Sequence, residues 1–110
     1  MPTESRMQLS AVFPSLAEEL RDLLERKGDT GLAGQVAALA IVERCRCGDE
    51  FCATIYTQPP PKGTWGPDHG TIDLDADQGM ILLDVVQGKI VEIEILNRDD
   101  IRKTLLAILP

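Results

Sequence analysis

Three cysteines fall within eight residues, Cys45-Arg46-Cys47-Gly48-Asp49-Glu50-Phe51-Cys52. In an extended strand alternate side chains share a face, so Cys45 and Cys47 project together. A hairpin loop over Cys47-Gly48-Asp49-Glu50 then returns Cys52 to Cys47. Three converging thiols can hold a thiophilic metal, and His69, the one histidine, is available as a fourth ligand. Cys3His is a known structural zinc set. The spacing here, C-x-C-x4-C with sixteen residues before His69, differs from the common C-x2-C knuckle. Other chemistries suit the same residues. Cys47 and Cys52 can close a cross-hairpin disulfide. Arg44 and Arg46 can depress a thiol pKa and make it reactive. The plainest reading is that the cysteines are small apolar residues filling a core edge. The metal reading assigns Cys45, Cys47, Cys52 and His69 as ligands.

A second set of residues is acidic. Between Asp68 and Asp84 there are five aspartates and no lysine or arginine. Period-two alternation places Asp73, Asp75, Asp77, Asp84, Glu92 and Glu94 on one sheet face, with Asp73 directly opposite Asp84. Met80, Leu82 and Ile90 interrupt this field with apolar surface. Such a face suits docking of a basic protein partner through Asp73, Asp75, Asp84, Glu92, Glu94, Leu82 and Trp65. It equally suits a solvated outer face that discourages aggregation. The apolar residues also make a homodimer reasonable beside a monomer. Asp73, Asp75, Asp77 and Asp84 match positions 1, 3, 5 and 12 of an EF-hand loop. Position 6 is Gln78 instead of glycine, and the flanks read as strands, so calcium is not expected there.

The remaining reactive residues lie in a loop. Gln58 to Gly70 carries Pro59, Pro60, Pro61 and Pro67 with three glycines, and contains the sole tryptophan and sole histidine. A rigid proline segment beside Trp65 suits recognition; Trp65 equally suits folding back as a cover. His69 beside Asp68 resembles a general base, although adjacent side chains seldom face each other. A Cys–His dyad from Cys47 or Cys52 with His69 is conceivable. Glycine-rich phosphate loops, nucleophile elbows and histidine-rich metal motifs are missing, which points away from an enzyme.

Elements must position these groups. Ser15 to Lys27 reads as a helix, with a Ser15/Glu18 capping box, an apolar stripe of Leu16, Leu20, Leu23 and Leu24, and Gly28 at its end. Asp29 to Gly34 reads as a turn, followed by a short helical turn and a strand over Leu39–Cys45. Phe51–Thr57 is the next strand. Three more follow: Thr71–Asp77, Met80–Val85 and Ile90–Leu96. A two-residue loop at Gln78-Gly79 and a three-residue loop at Val86-Gln87-Gly88 put Ile72, Leu74, Ala76, Ile81, Leu83, Val85, Val91, Ile93 and Ile95 on one core face. A helix over Arg98–Leu109 closes the chain, capped by Asn97. The expected architecture is α+β: a single domain over 1–110, with an antiparallel meander of about five strands packed against N- and C-terminal helices, and residues 1–13 loosely ordered.

Composition agrees. The chain has 110 residues, 44% hydrophobic and 26% charged, with net charge −7. It is too apolar for disorder, and its acidity argues against nucleic acid. Its apolar runs are too short to span a membrane. No leader peptide is evident, and an odd cysteine count suits a reducing cytoplasm.

The run RCRCGDEFCATIYT, followed by IDLDADQGMILLDVVQGKIVEIEILNRDDI, resembles a family of small uncharacterised bacterial proteins, a domain of unknown function with a C-x-C-G-x-x-x-C hairpin and a terminal β-meander. The resemblance covers about Val42 to Leu106. It implies a bacterial source and an α+β fold, and transfers no activity. The sequence therefore leads to a non-enzymatic cytoplasmic protein-binding module using its acidic sheet face. The alternative is a small zinc- or thiol-dependent module, structural or redox-sensing, built on Cys45, Cys47, Cys52 and His69.

Overall fold

In the computed structural model, which describes residues 7–110, Pro14 opens the main helix. Its fixed φ suits a first turn, where its missing N–H would have found no partner anyway. The chain runs β1 (Met7–Gln8), α1 (Leu9–Val12), α2 (Pro14–Arg26), α3 (Thr30–Ala33), a 3-10 turn (Val36–Ala38), β2 (Ala40–Ile41), β3 (Glu43–Arg44), β4 (Ile55–Tyr56), β5 (His69–Asp73), β6 (Met80–Val86), β7 (Lys89–Leu96) and α4 (Asp99–Ile108). The N-cap of α2 is Phe13 and no side chain caps it, so the Ser15/Glu18 capping box does not form. The expected stripe is buried, joined by Ala17.

Residues 7–13 are not loose. Leu9 is fully buried, Phe13 nearly so, and β1 pairs with β2 as a two-stranded sheet. Burial of such side chains stabilises by about 1.5–3 kcal/mol each, which is why the segment docks. The part of that expectation covering residues 1–6 lies outside the described residues. Asp29 to Gly34 contains the short helix α3, whose N-cap Asp29 accepts a hydrogen bond from Leu32 N at 2.9 Å. α4 starts one residue late. Its N-cap is Arg98, while Asn97 sits at φ 60 and its N–H donates to Phe51 O.

Five strands form one antiparallel sheet in the order β3-β4-β7-β6-β5. With four helices this is the α+β architecture read from the sequence. One sheet face packs Ile55, Leu74, Ile81, Leu83, Ile93 and Ile95 against Leu16, Leu20 and Leu24 of α2 and Ile101 and Leu105 of α4. Among the described residues no helix is long and apolar enough to cross a membrane.

Strand faces follow the alternation, but both hairpin registers differ from expectation by two residues. Asp73 pairs with Leu82 and Thr71 with Asp84, so Asp73 is not opposite Asp84. The cause is a longer connection. β5 ends at Asp73, whose Oδ1 accepts from Asp75 N at 2.9 Å, an Asx turn that bends the chain out of the ladder. At the other hairpin, Val86 pairs with Lys89 across a two-residue turn, Gln87-Gly88, both with positive φ. A bulge after Asp84 then leaves Val91 as the extra residue and restores the parity of Ile93 and Ile95. Ile90, expected on the outer face, is buried at 2% exposure as a result.

Candidate functional site

The helices leave the other sheet face to polar residues. One rung crosses all five strands: Glu43, Tyr56, Glu92, Asp84 and Thr71 are successive partners from β3 to β5. Asp84 and Glu92 are therefore directly opposed, an arrangement that like charges disfavour. The next rung follows from the same register and brings Cys45 beside Thr54, with Glu94 opposite Leu82. Cys52 bridges to Leu96 one rung further on. Thiols and carboxylates thus share one face of the sheet.

Three carboxylates converge. Asp84, Glu92 and Glu94 each offer an oxygen within 4.8 Å of the others. Asp84 is 2% exposed, and its Oδ1 takes Thr71 Oγ1 at 2.8 Å and His69 Nε2 at 2.6 Å. Its Oδ2 is buried and, apart from the Glu94 carboxyl, has no donor among the described residues. Burial pushes the Asp84 carboxyl up, but hydrogen bonds to Glu94, His69 and Thr71 carry it below the ordinary aspartate range. Glu94 moves the other way: its hydrogen bond to Asp84, burial, and the nearby Asp84 and Glu92 charges push it up to about 8. Burial raises Glu92 too, opposed by Trp65, whose Nε1 donates to Glu92 Oε1 at 2.9 Å. Trp65 folds back as a partial cover, on the outer face instead of the core, with its ring centroid 6.4 Å from that of Tyr56.

The thiols converge as well. The Sγ atoms of Cys45, Cys47 and Cys52 lie within 4.8 Å of one another, and all three are free. Cys52 Sγ is 3.5 Å from Thr54 Oγ1. Burial pushes the Cys45 thiol up to about 12. It also opposes ionisation of Cys52, yet hydrogen bonds from Thr54, Cys47 and Cys45 bring that thiol below its usual value. The arginines act elsewhere. The guanidiniums of Arg44 and Arg46 donate to the carbonyls of Leu109 and Pro110 at the end of α4, and Arg46 also binds Glu43 Oε1 at 2.9 Å.

His69 does not join the cysteines. It lies on β5, at the opposite edge of the sheet from β3, and its Nε2 is on Asp84. The strand order therefore removes it as a fourth thiol-site ligand and as the base of a Cys–His dyad. Its acidic partner is Asp84, not its neighbour Asp68, which accepts from Gln87 Nε2. The acidic docking face is also redrawn. Asp75 pairs with Lys27 at 2.7 Å and Asp77 with Arg26 at 3.7 Å, both at the end of α2. Asp73 is exposed, Leu82 and Glu94 are half-buried, and Asp84 is closed off from any partner's charges. Thr71 was not singled out by sequence. Alternation puts it on the face of His69 and Asp73, and only the two-residue register difference brings it to Asp84.

Comparison with protein-family models, with curated proteins and with solved structures finds no match to this chain.

Proposed function

We propose that this protein is a small thiol-dependent metal-binding module that holds one zinc ion on Cys45, Cys47 and Cys52. The observation that carries the reading is the convergence of three free Sγ atoms within 4.8 Å of one another. Sulfurs around tetrahedral zinc at 2.3 Å are roughly 3.8 Å apart, so small side-chain rotations close the set. Hydrogen bonds already hold the Cys52 thiol below its usual value, and a divalent cation lowers the proton affinity of all three thiols. The ligands sit on a two-stranded hairpin held to β7 by the Cys52–Leu96 bridge and the Ala53 N–H to Ile95 O bond. His69 being distant, the fourth position belongs to water or to a donor from another molecule.

The test is cobalt substitution and zinc titration of the reduced protein. One Co(II) per chain should give a thiolate-to-cobalt charge-transfer band that zinc bleaches, and C47S should weaken it strongly. A protein whose three thiols stay fully reactive in excess zinc, with no such band, overturns the reading.

A further inference from the structure

Asp84, Glu92 and Glu94 lie on the same sheet face as the thiols but form a separate cluster. From their geometry we propose a second cation site, for a hard divalent ion of the Mg2+ or Mn2+ class, formed by these three carboxylates. The two clusters share no ligand.

Three observations carry it. First, the Asp84 side chain is 3% exposed and its Oδ2 is buried with no donor among the described residues apart from the Glu94 carboxyl. A buried carboxylate oxygen faced only by another carboxyl needs a proton or a cation between the two, because burial makes an unrelieved pair costly. Second, among the described residues no lysine or arginine pairs with Asp84, Glu92 or Glu94, although their oxygens come within 4.8 Å of one another. Third, two of the three carboxylates have one oxygen held from behind. His69 and Thr71 hold Asp84 Oδ1, and Trp65 Nε1 holds Glu92 Oε1. Donors that fix one oxygen and leave the other free are how proteins orient ligating carboxylates.

The donor chemistry selects the ion. An all-oxygen set suits Mg2+, Mn2+ or Ca2+ and disfavours thiophilic metals. Three carboxylates from two adjacent strands reach an ion from one side only, so water fills the remaining positions. Mg2+ and Mn2+ accept that arrangement readily, since they retain several waters when protein-bound. His69, Thr71 and Trp65 act as positioning residues.

The experiment is Mn2+ titration of the full chain, followed by electron paramagnetic resonance of free Mn2+, on the wild type, E92Q, E94Q and the triple variant C45S/C47S/C52S. The wild type should bind one Mn2+ per chain, displaceable by excess Mg2+. E92Q and E94Q should each weaken binding at least tenfold, while the triple cysteine variant keeps it. E92Q replaces a half-buried residue with its isostere, so it tests the site even if E94Q fails to fold. Absence of Mn2+ binding at millimolar concentration, unchanged binding in E92Q, or loss of binding in the cysteine variant alone would each overturn the proposal.

Discussion

Asp84 and Glu94 stand diagonally across β6 and β7 with their carboxyls within hydrogen-bonding reach, and they divide a proton unequally: Asp84 is held below the usual range and Glu94 is pushed up to about 8. Ionising both would put two charges beside the Glu92 carboxylate on one water-poor patch of sheet. Either a proton or a cation must relieve that repulsion.

In chelator-treated protein the proton has a stability consequence. The folded-state value of Glu94, about 8, lies above its ordinary 4.5. Between those limits the native chain binds a proton that the unfolded chain has released, so stability from this group falls as pH rises. It is fully present below about pH 4.5 and gone above about pH 8. Asp84 has the opposite sign, and its contribution is lost only at acid pH. Thermal melting from pH 5 to 9 should therefore decline in the wild type and flatten in E94Q, which mimics the protonated form. A wild-type slope equal to that of E94Q contradicts this assignment.

The thiols should differ in reactivity towards iodoacetamide. Cys47 is exposed, and Cys52 is held below its usual value by its hydrogen bonds. Cys45 is half-buried with its thiol pushed up to about 12, so little thiolate exists at neutral pH. Peptide mapping of briefly alkylated protein should show Cys45 labelled last, by tenfold or more. Early labelling of Cys45 would mean that Arg44 or Arg46 acts on it after all.

A third expectation concerns the bulge that buries Ile90. Beyond the end of β4, the Ile90 backbone has no strand partner on that side. Side chains replace it: Thr57 Oγ1 donates to Ile90 O at 2.9 Å, and Gln35 Oε1 accepts from Ile90 N at 3.0 Å. Thr57 is 3% exposed, so T57V preserves its shape but strands a buried carbonyl. The loss should be about 1–3 kcal/mol in urea denaturation at an unchanged m-value. A neutral effect would show that water reaches Ile90 O.

The alternation of Ile81, Leu83, Ile93 and Ile95 made the core face legible, because a one-residue slip would bury charge. Alternation fixes parity and not pairing. A two-residue shift keeps every face unchanged, so Thr71, not Asp73, came to rest against Asp84. The turn at Val86 shows the same limit. A three-residue loop and a two-residue loop plus a bulge satisfy one parity, yet only the second buries Ile90. In the site, the convergence of Cys45, Cys47 and Cys52 followed from local strand geometry and a hairpin. The position of His69 depended on strand order, which places β7 and β6 between β4 and β5, and local spacing carries no information about that.

The connection between β5 and β6 depends on Gly79 for two separable reasons. Its φ is +64, and a Cβ there would collide with the Leu96 carbonyl oxygen and press within 3.0 Å of Asn97 O and Arg98 Cγ. Gly88 has φ +78 but open space around it. G88A therefore carries only the left-handed backbone term, about 1–2 kcal/mol. G79A carries that term plus displacement of the chain between β7 and α4, for a total of about 2–4 kcal/mol. Chemical denaturation of both variants separates the two contributions, since their difference measures the collision. Because Arg98 binds Glu19 at 3.0 and 3.1 Å, the displaced segment also ties α4 to α2, and G79A should loosen that pair. Equal destabilisation in the two variants would mean that the Leu96–Arg98 segment yields without cost.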